Sequence, residues 1–218
     1  MKKLIRNVLL NSLLMTGGSA MAQQTVSLPK PDIKAKGMSV TEALSTRHSV
    51  REYASTPLTL QELSGLCWAA CGVSRDDNHR TAPTAMNRKE IRLFVFTEKG
   101  VYEYDAVGNN LVVKAEGDYR ELMTGSANGY KQEFAKEAPV SLLMVIDFDL
   151  FGSKDERAMK MGCVDAGNVS ENINLYCQSV GLATVPRATH DTEGIRKLLN
   201  LTDNQLPIMN NPVGWPKK

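Results

Sequence analysis

The chain has 218 residues and a near-neutral balance of 26 basic against 24 acidic residues, a formal charge of +2. That length suits one domain with a full core. The balance lacks the basic surplus that nucleic acid or an anionic membrane surface calls for, and no internal repeat or low-complexity block interrupts it.

Residues 1–22 read as an export signal. Met1-Lys2-Lys3-Leu4-Ile5-Arg6 is a basic start, Val8 to Met15 is mostly apolar, and Ala20-Met21-Ala22 offers the small-x-small pattern that signal peptidase reads. The apolar run falls short of the roughly 20 residues a membrane span needs. No cysteine follows the cleavage point, so a periplasmic protein without a membrane anchor is expected. Removing Lys2, Lys3 and Arg6 leaves 23 basic residues against 24 acidic, a formal charge of −1. Residues 23–38, with Pro29, Pro31 and Gly37, read as an extended or loosely ordered lead-in to a domain over 39–218.

Within that domain, Ser39–Thr46 reads as a short helix, capped by Ser39 with Glu42 three residues on. Leu60–Gly72 has helical spacing behind a polar start at Thr59. Ile91–Thr97, Val101–Tyr104 and Leu111–Lys114 are β-branched and aromatic segments separated by Glu98-Lys99-Gly100 and Gly108-Asn109-Asn110, which makes an antiparallel meander. Short helices are expected over Tyr119–Thr124 and Tyr130–Glu137. Val140–Phe148 is nearly continuously apolar, the pattern of a strand buried on both faces. Asp155–Val180 is the long central helix, ended by Gly181, with Ala166 and Gly167 small enough to let a neighbouring helix approach. Thr192–Leu199 is a further helix. Together these elements predict an α+β domain with helices covering a mostly antiparallel sheet.

Four cysteines in an exported chain allow three pairings. Cys163 and Cys177, fourteen residues apart on one helix, lie roughly 21 Å apart at about 1.5 Å per residue, beyond a disulfide's reach. Reduced, buried cysteines are the favoured reading. Cys67 and Cys71, at i and i+4, are a weaker candidate for a catalytic pair, because Trp68, Ala69 and Ala70 supply no base. The three histidines, His48, His79 and His190, lack metal-ligand spacing. No Gly-x-Ser-x-Gly elbow, Walker loop or Gly-x-Gly-x-x-Gly is present.

Arg47-His48-Ser49-Val50-Arg51 is the cluster that carries chemistry. Two arginines and a hydroxyl within five residues make a receptor for phosphate oxygens, because guanidinium forks pair with them through charge-assisted bonds. The cluster resembles the N-terminal signature of the FMN-dependent nitroreductases, Arg-[Arg/His]-Ser-x-[Arg/Lys]. Pro83-Thr84-Ala85-Met86-Asn87 is similar to that family's Pro-Ser-x-x-Asn turn. Gly181-Leu182-Ala183-Thr184-Val185-Pro186 and Val213-Gly214-Trp215-Pro216 resemble two later segments, all in the family's order. Lys89-Glu90-Ile91 stands where Gln-Pro-Trp is usual, and Ala188-Thr189 where many relatives carry Glu-Gly.

The resemblance implies a swapped homodimer with FMN at the subunit interface. Arg47, Ser49 and Arg51 would contact the ribityl phosphate and the flavin's polar edge, with His48 contributing through backbone or ring. Asn87 would close over the flavin from the partner subunit. Pro186, Arg187, Ala188 and Thr189 would bring backbone N–H groups to its reactive edge. Lys217 and Lys218 either reach the phosphate or form a solubilising tail. No residue is assigned acid–base catalysis. The implied activity passes electrons from NAD(P)H or another donor to nitroaromatic, quinone or enone acceptors by a ping-pong route. The altered motifs keep open an alternative, an exported flavin-binding protein with lost or reduced turnover.

Overall fold

The computed structural model describes residues 24–34, 37–125 and 131–217. The export signal, Lys218 and the first residue of the expected Tyr130–Glu137 helix lie outside the described residues.

Seven strands form one sheet in which every pairing is antiparallel: β1 Thr25–Ser27, β2 Ile91–Thr97, β3 Gly100–Asp105, β4 Asn110–Glu116, β5 Val140–Asp147, β6 Ala183–Thr184 and β7 Gln205–Gly214. Their order across the sheet is β1-β4-β3-β2-β5-β7-β6. Six helices accompany them: α1 Val40–Thr46, α2 Leu60–Cys71, α3 Phe134–Glu137, α4 Phe148–Phe151, α5 Glu156–Val180 and α6 Thr192–Leu199. The domain is α+β, as the residue pattern predicts.

Side chains alternate across β2 and β5 into two cores, which explains their unbroken apolar character. Leu93, Val95, Leu142, Met144 and Ile146 face α2 and α5, packing with Leu66, Ala166, Val169 and Ile173. Phe94, Phe96, Leu143 and Val145 face the other way, against Met123, Ala135, Ile195 and Leu199. Helix starts follow local chemistry. Ser39 and Glu42 close a capping box on α1, and Thr59 and Glu62 close another on α2. Gly181 ends α5 at φ 79°, a left-handed position that glycine adopts without strain.

The structure adds to the sequence reading in several places. Within the lead-in, Thr25–Ser27 pairs with β4 and becomes an edge of the sheet. The central strand ends at Asp147, whose side chain caps α4, so Phe148 turns into that helix instead of extending the strand. All four cysteines are free thiols, with Cys67 and Cys177 buried, but Cys163 is exposed. It shares the outward side of α5 with Val164, which is 53% exposed. Gly167 also faces outward, with no atom of another element within 4 Å of where a Cβ would stand. Ala166 instead packs inward.

Leu142, fully buried in the central strand, and Val107, 67% exposed between β3 and β4, give a matched test of this layering. Leu142→Ala should cost about 2–5 kcal/mol through lost burial and the cavity left behind. Val107→Ala should stay within about 0.5 kcal/mol. Urea denaturation of the two variants measures both, and equal losses would contradict the assignment of β5 to the core.

Candidate functional site

Helix α1 stops at Arg47, where the backbone leaves helical geometry at φ −59° and ψ 136°. The chain then runs as a strap over residues 48–54 along the end of the sheet. Val50 N–H donates to Thr184 O at 3.0 Å, Ala54 N–H to Trp215 O at 2.8 Å, and Lys217 N–H to Glu52 O at 3.3 Å. Tyr53 pairs with Pro216, and its buried hydroxyl donates to Val50 O at 2.9 Å. These anchors occupy the backbone and the inward side chains. Arg47, His48, Ser49 and Arg51 are left exposed, and neither arginine forms an ion pair among the described residues. His48 turns back on its own chain, with Nδ1 3.0 Å from Thr46 O.

The second wall is the segment Pro186–Thr189. Arg187 and Asn210 exchange backbone hydrogen bonds of 2.8 and 2.7 Å, tying this segment to β7. The Arg187 side chain points inward and is only 6% exposed. Its Nε donates to Gln132 Oε1 at 2.7 Å, and its Nη1 to Met123 O and Asn210 Oδ1, both at 2.9 Å. The guanidinium lies over Phe134, 5.2 Å from the ring centroid, and Arg51 approaches the same ring at 6.0 Å. Burial pulls the Arg187 pKa down to about 10, so it remains charged at neutral pH. Its Nη2 is buried with no partner among the described residues. Ala188 and Thr189 donate no backbone hydrogen bond within the described residues, whereas the Arg187 N–H is already committed to Asn210.

The strap, Pro186–Thr189 and Lys217 therefore meet at one end of the sheet. Asn87 is elsewhere. It sits on a turn in which Met86, Asn87 and Lys89 all take left-handed φ values, 53°, 56° and 58°. Such a run of non-glycine residues is strained and needs to be held from outside. Asp165 of α5 holds it, with Oδ2 accepting the Ala85 N–H at 2.6 Å. Among the described residues no hydrogen bond joins this turn to the strap.

Beneath the turn is a feature that motif reading missed. Glu90 is fully buried, and neither of its carboxyl oxygens finds a donor N–H or hydroxyl among the described residues. Asp165 lies within hydrogen-bonding reach, so the two carboxyls can associate only when one keeps a proton. Burial, aided by Asp165, pushes the Glu90 pKa up to about 8. The available signal was a charged residue directly before an apolar strand.

The model of the Nitroreductase family matches residues 44–215, a span that includes the strap, the turn, Pro186–Thr189 and β7. The chain belongs to the nitroreductase family. A protein of Methanocaldococcus jannaschii named "Putative nitroreductase MJ1384" is 30% identical over 200 residues, covering 87% of this chain and 96% of its own. A Methanothermobacter thermautotrophicus protein named "Putative NADH dehydrogenase/NAD(P)H nitroreductase" is 25% identical over 190 residues, covering 85% of this chain and 81% of its own. A solved Ralstonia eutropha structure, titled as a putative nitroreductase, superposes with a TM-score of 0.81 at 30% identity, covering 90% of this chain and 91% of that one. This nitroreductase-family chain is thus an oxidoreductase. Among its described residues no cluster of three or more His, Cys, Asp or Glu is suited to a metal, and no helix is long and apolar enough to cross a membrane.

The buried carboxyl pair gives this family member a testable pH signature. An unfolded Glu90 ionises near 4.5, while the folded chain keeps its proton to about 8. Across that window the folded state binds the extra proton, so the stability contribution is full below about 4.5 and is lost as pH rises towards 8. Glu90→Gln removes the titration and keeps the shape. Its melting temperature should fall less than that of the wild type between about pH 5 and 8.5. Superimposable pH profiles would contradict the buried, protonated state.

Proposed function

We propose that this chain is an FMN-dependent oxidoreductase, working as a homodimer, that takes electrons from NAD(P)H or another small donor and passes them to nitroaromatic, quinone or enone acceptors. The observation that carries this reading is the pairing of two walls at one end of the sheet. One presents Arg47, Ser49 and Arg51 to solvent without carboxylate partners. The other offers the unengaged N–H groups of Ala188 and Thr189 above a buried guanidinium with a free Nη2. This donor set fits a phosphorylated, polar-edged cofactor. FMN bound there supplies reversible two-electron transfer.

Each residue has a bounded role. Arg47, Ser49 and Arg51 bind the phosphate and the polar edge through charge-assisted bonds. Lys217, tethered to Glu52 through its N–H, is placed beside the strap to add a further cation. The Arg187 charge, held under the segment, provides a positive field that favours extra negative charge nearby. His48 acts through its backbone position, since its ring is turned to Thr46 O. Asn87 lies on the separate turn and serves the partner's cofactor. The outward face of α5 around Val164 and Gly167, open in the single chain, supports close apposition of a second copy. An N-terminal signal directs the chain to the periplasm, where it acquires FMN after crossing unfolded.

A second reading, a flavin-binding protein with lost or reduced turnover, is favoured by specific residues. Lys89-Glu90-Ile91 stands where the family has Gln-Pro-Trp, Ala188-Thr189 where many relatives carry Glu-Gly, and only Lys217 and Lys218 remain where a terminal basic residue reaches the phosphate. One face shared by donor and acceptor requires them to bind alternately. Initial rates with NADH or NADPH and a quinone should therefore give parallel double-reciprocal lines, the ping-pong pattern. Intersecting lines would mean a separate donor site. A yellow protein that does not bleach with either nucleotide and turns over neither nitroaromatics nor quinones would support the second reading.

A further inference from the structure

A cavity of about 370 Å³ lies away from the strap. Its walls come from the end of α2, the loop that follows, the Thr84–Lys89 turn, β2, β3, β4 and Val169 of α5. None of the strap, Pro186–Thr189 or C-terminal residues lines it. Its size is at the lower end of the range for small-molecule sites, about 300–1,000 Å³.

Its charges do not cancel. Four cations, Arg80, Lys89, Arg92 and Lys114, face two carboxylates, Glu103 and Asp105. Arg92 and Lys114 are already satisfied. Arg92 forms a two-pronged pair with Glu103 at 2.7 and 2.9 Å, and Lys114 meets the same carboxylate at 3.3 Å. Asp105 is occupied by Val107 N–H and by Asn110 Nδ2. Arg80 and Lys89 form no ion pair among the described residues.

Arg80 is also rigidly placed. Its backbone bridges to Val73, and Thr81 N–H closes on Gly72 O at 2.9 Å. Its Nη1 is buried and finds no hydrogen-bond partner among the described residues. A buried guanidinium nitrogen without an acceptor is costly, and such groups in native proteins call for a missing partner. Much of the remaining lining is apolar, from Ile91, Leu93, Val112 and Val169, with the hydroxyls of Thr84 and Tyr104 among it.

We propose that this cavity binds a small organic acid. The anionic head, a carboxylate or a phosphate, sits between the Arg80 fork and the Lys89 ammonium, and an apolar body lies against Ile91, Leu93, Val112 and Val169. The geometry suits an amphipathic ligand better than a bare inorganic ion, because Ile91, Leu93, Val112 and Val169 give the cavity apolar lining beside its cations. Since Lys89 ends the strained turn, the bound acid is also held against the segment that carries Asn87. The site shares no residue with the strap or with Pro186–Thr189.

Calorimetric titration of the purified full-length protein with benzoate, phenyl phosphate and benzyl alcohol tests this. At least one of the two acids should bind saturably, and whichever binds tighter identifies the preferred head group. Benzyl alcohol, which lacks the charge, should bind at least about tenfold more weakly. Arg80→Gln and Lys89→Gln should each weaken the acid by about tenfold or more, while Arg47→Ala leaves it unchanged. Lys89→Gln keeps the test open if Arg80→Gln fails to fold. The proposal is overturned if neither acid saturates, if benzyl alcohol binds equally well, if both variants bind like the wild type, or if Arg47→Ala abolishes binding.

Discussion

A single buried guanidinium organises one end of this molecule. Among the described residues Arg187 has no carboxylate partner, so its charge must be met by dipoles and by an aromatic face. Met123 O, Gln132 Oε1 and Asn210 Oδ1 supply the first, and Phe134 supplies the second. Those four residues come from three separate stretches of chain, at Met123, at Gln132–Phe134 and in β7. Satisfying one side chain therefore fixes the turn before α3, α3 itself and β7 against the segment after β6. A half-satisfied network of this kind would be worse than an apolar core, and only the inward-held Nη2 is left over. Tyr53 then locks the strap onto the end of β7, which leaves the Arg47–Arg51 side chains no inward alternative.

The opposite electrostatic solution operates at the Asn87 turn. There, two acids are buried together, and burial beside Asp165 favours a retained proton on Glu90, which lowers the charge of the pair without a dipole shell. Asp165 also accepts the Ala85 N–H at 2.6 Å. Three left-handed residues in six are held by a helix that is itself the core's central element. Strain of this sort persists only where surroundings over-determine it. The two devices together place a cationic strap and a rigid turn at separate positions on the same scaffold.

Much of this was legible from local chemistry. The boxes Ser39/Glu42 and Thr59/Glu62 mark α1 and α2 because N-terminal N–H groups need acceptors wherever the helix lies. The run Val140–Asp147 announces a strand buried on both faces because each residue meets one of two cores. The ten-residue strand β7 was not legible, because Pro207, Asn210, Asn211 and Pro212 break its alternation. It is tolerated where β6 and one Arg187–Asn210 bridge cover little of its outer edge. Cys163 shows the same limit: helical spacing finds a face, but only tertiary packing decides which face is buried. At the site, the exposed arginines were visible as a motif. The inward Arg187 side chain and the Glu90–Asp165 pair were not, since each depends on partners distant in sequence.

On the proposed function, the exposed arginine strap recognises a flavin through its phosphate. Fluorescence titration of flavin-free protein with FMN and with riboflavin tests this most directly, because the two ligands differ only in that group. Losing a charge-assisted bond is worth about 1.5–3 kcal/mol, so riboflavin should bind roughly 10- to 150-fold more weakly than FMN. In Arg47→Ala that gap should shrink towards unity. Equal affinity for the two flavins in the wild type, or no flavin binding at all, would contradict the account.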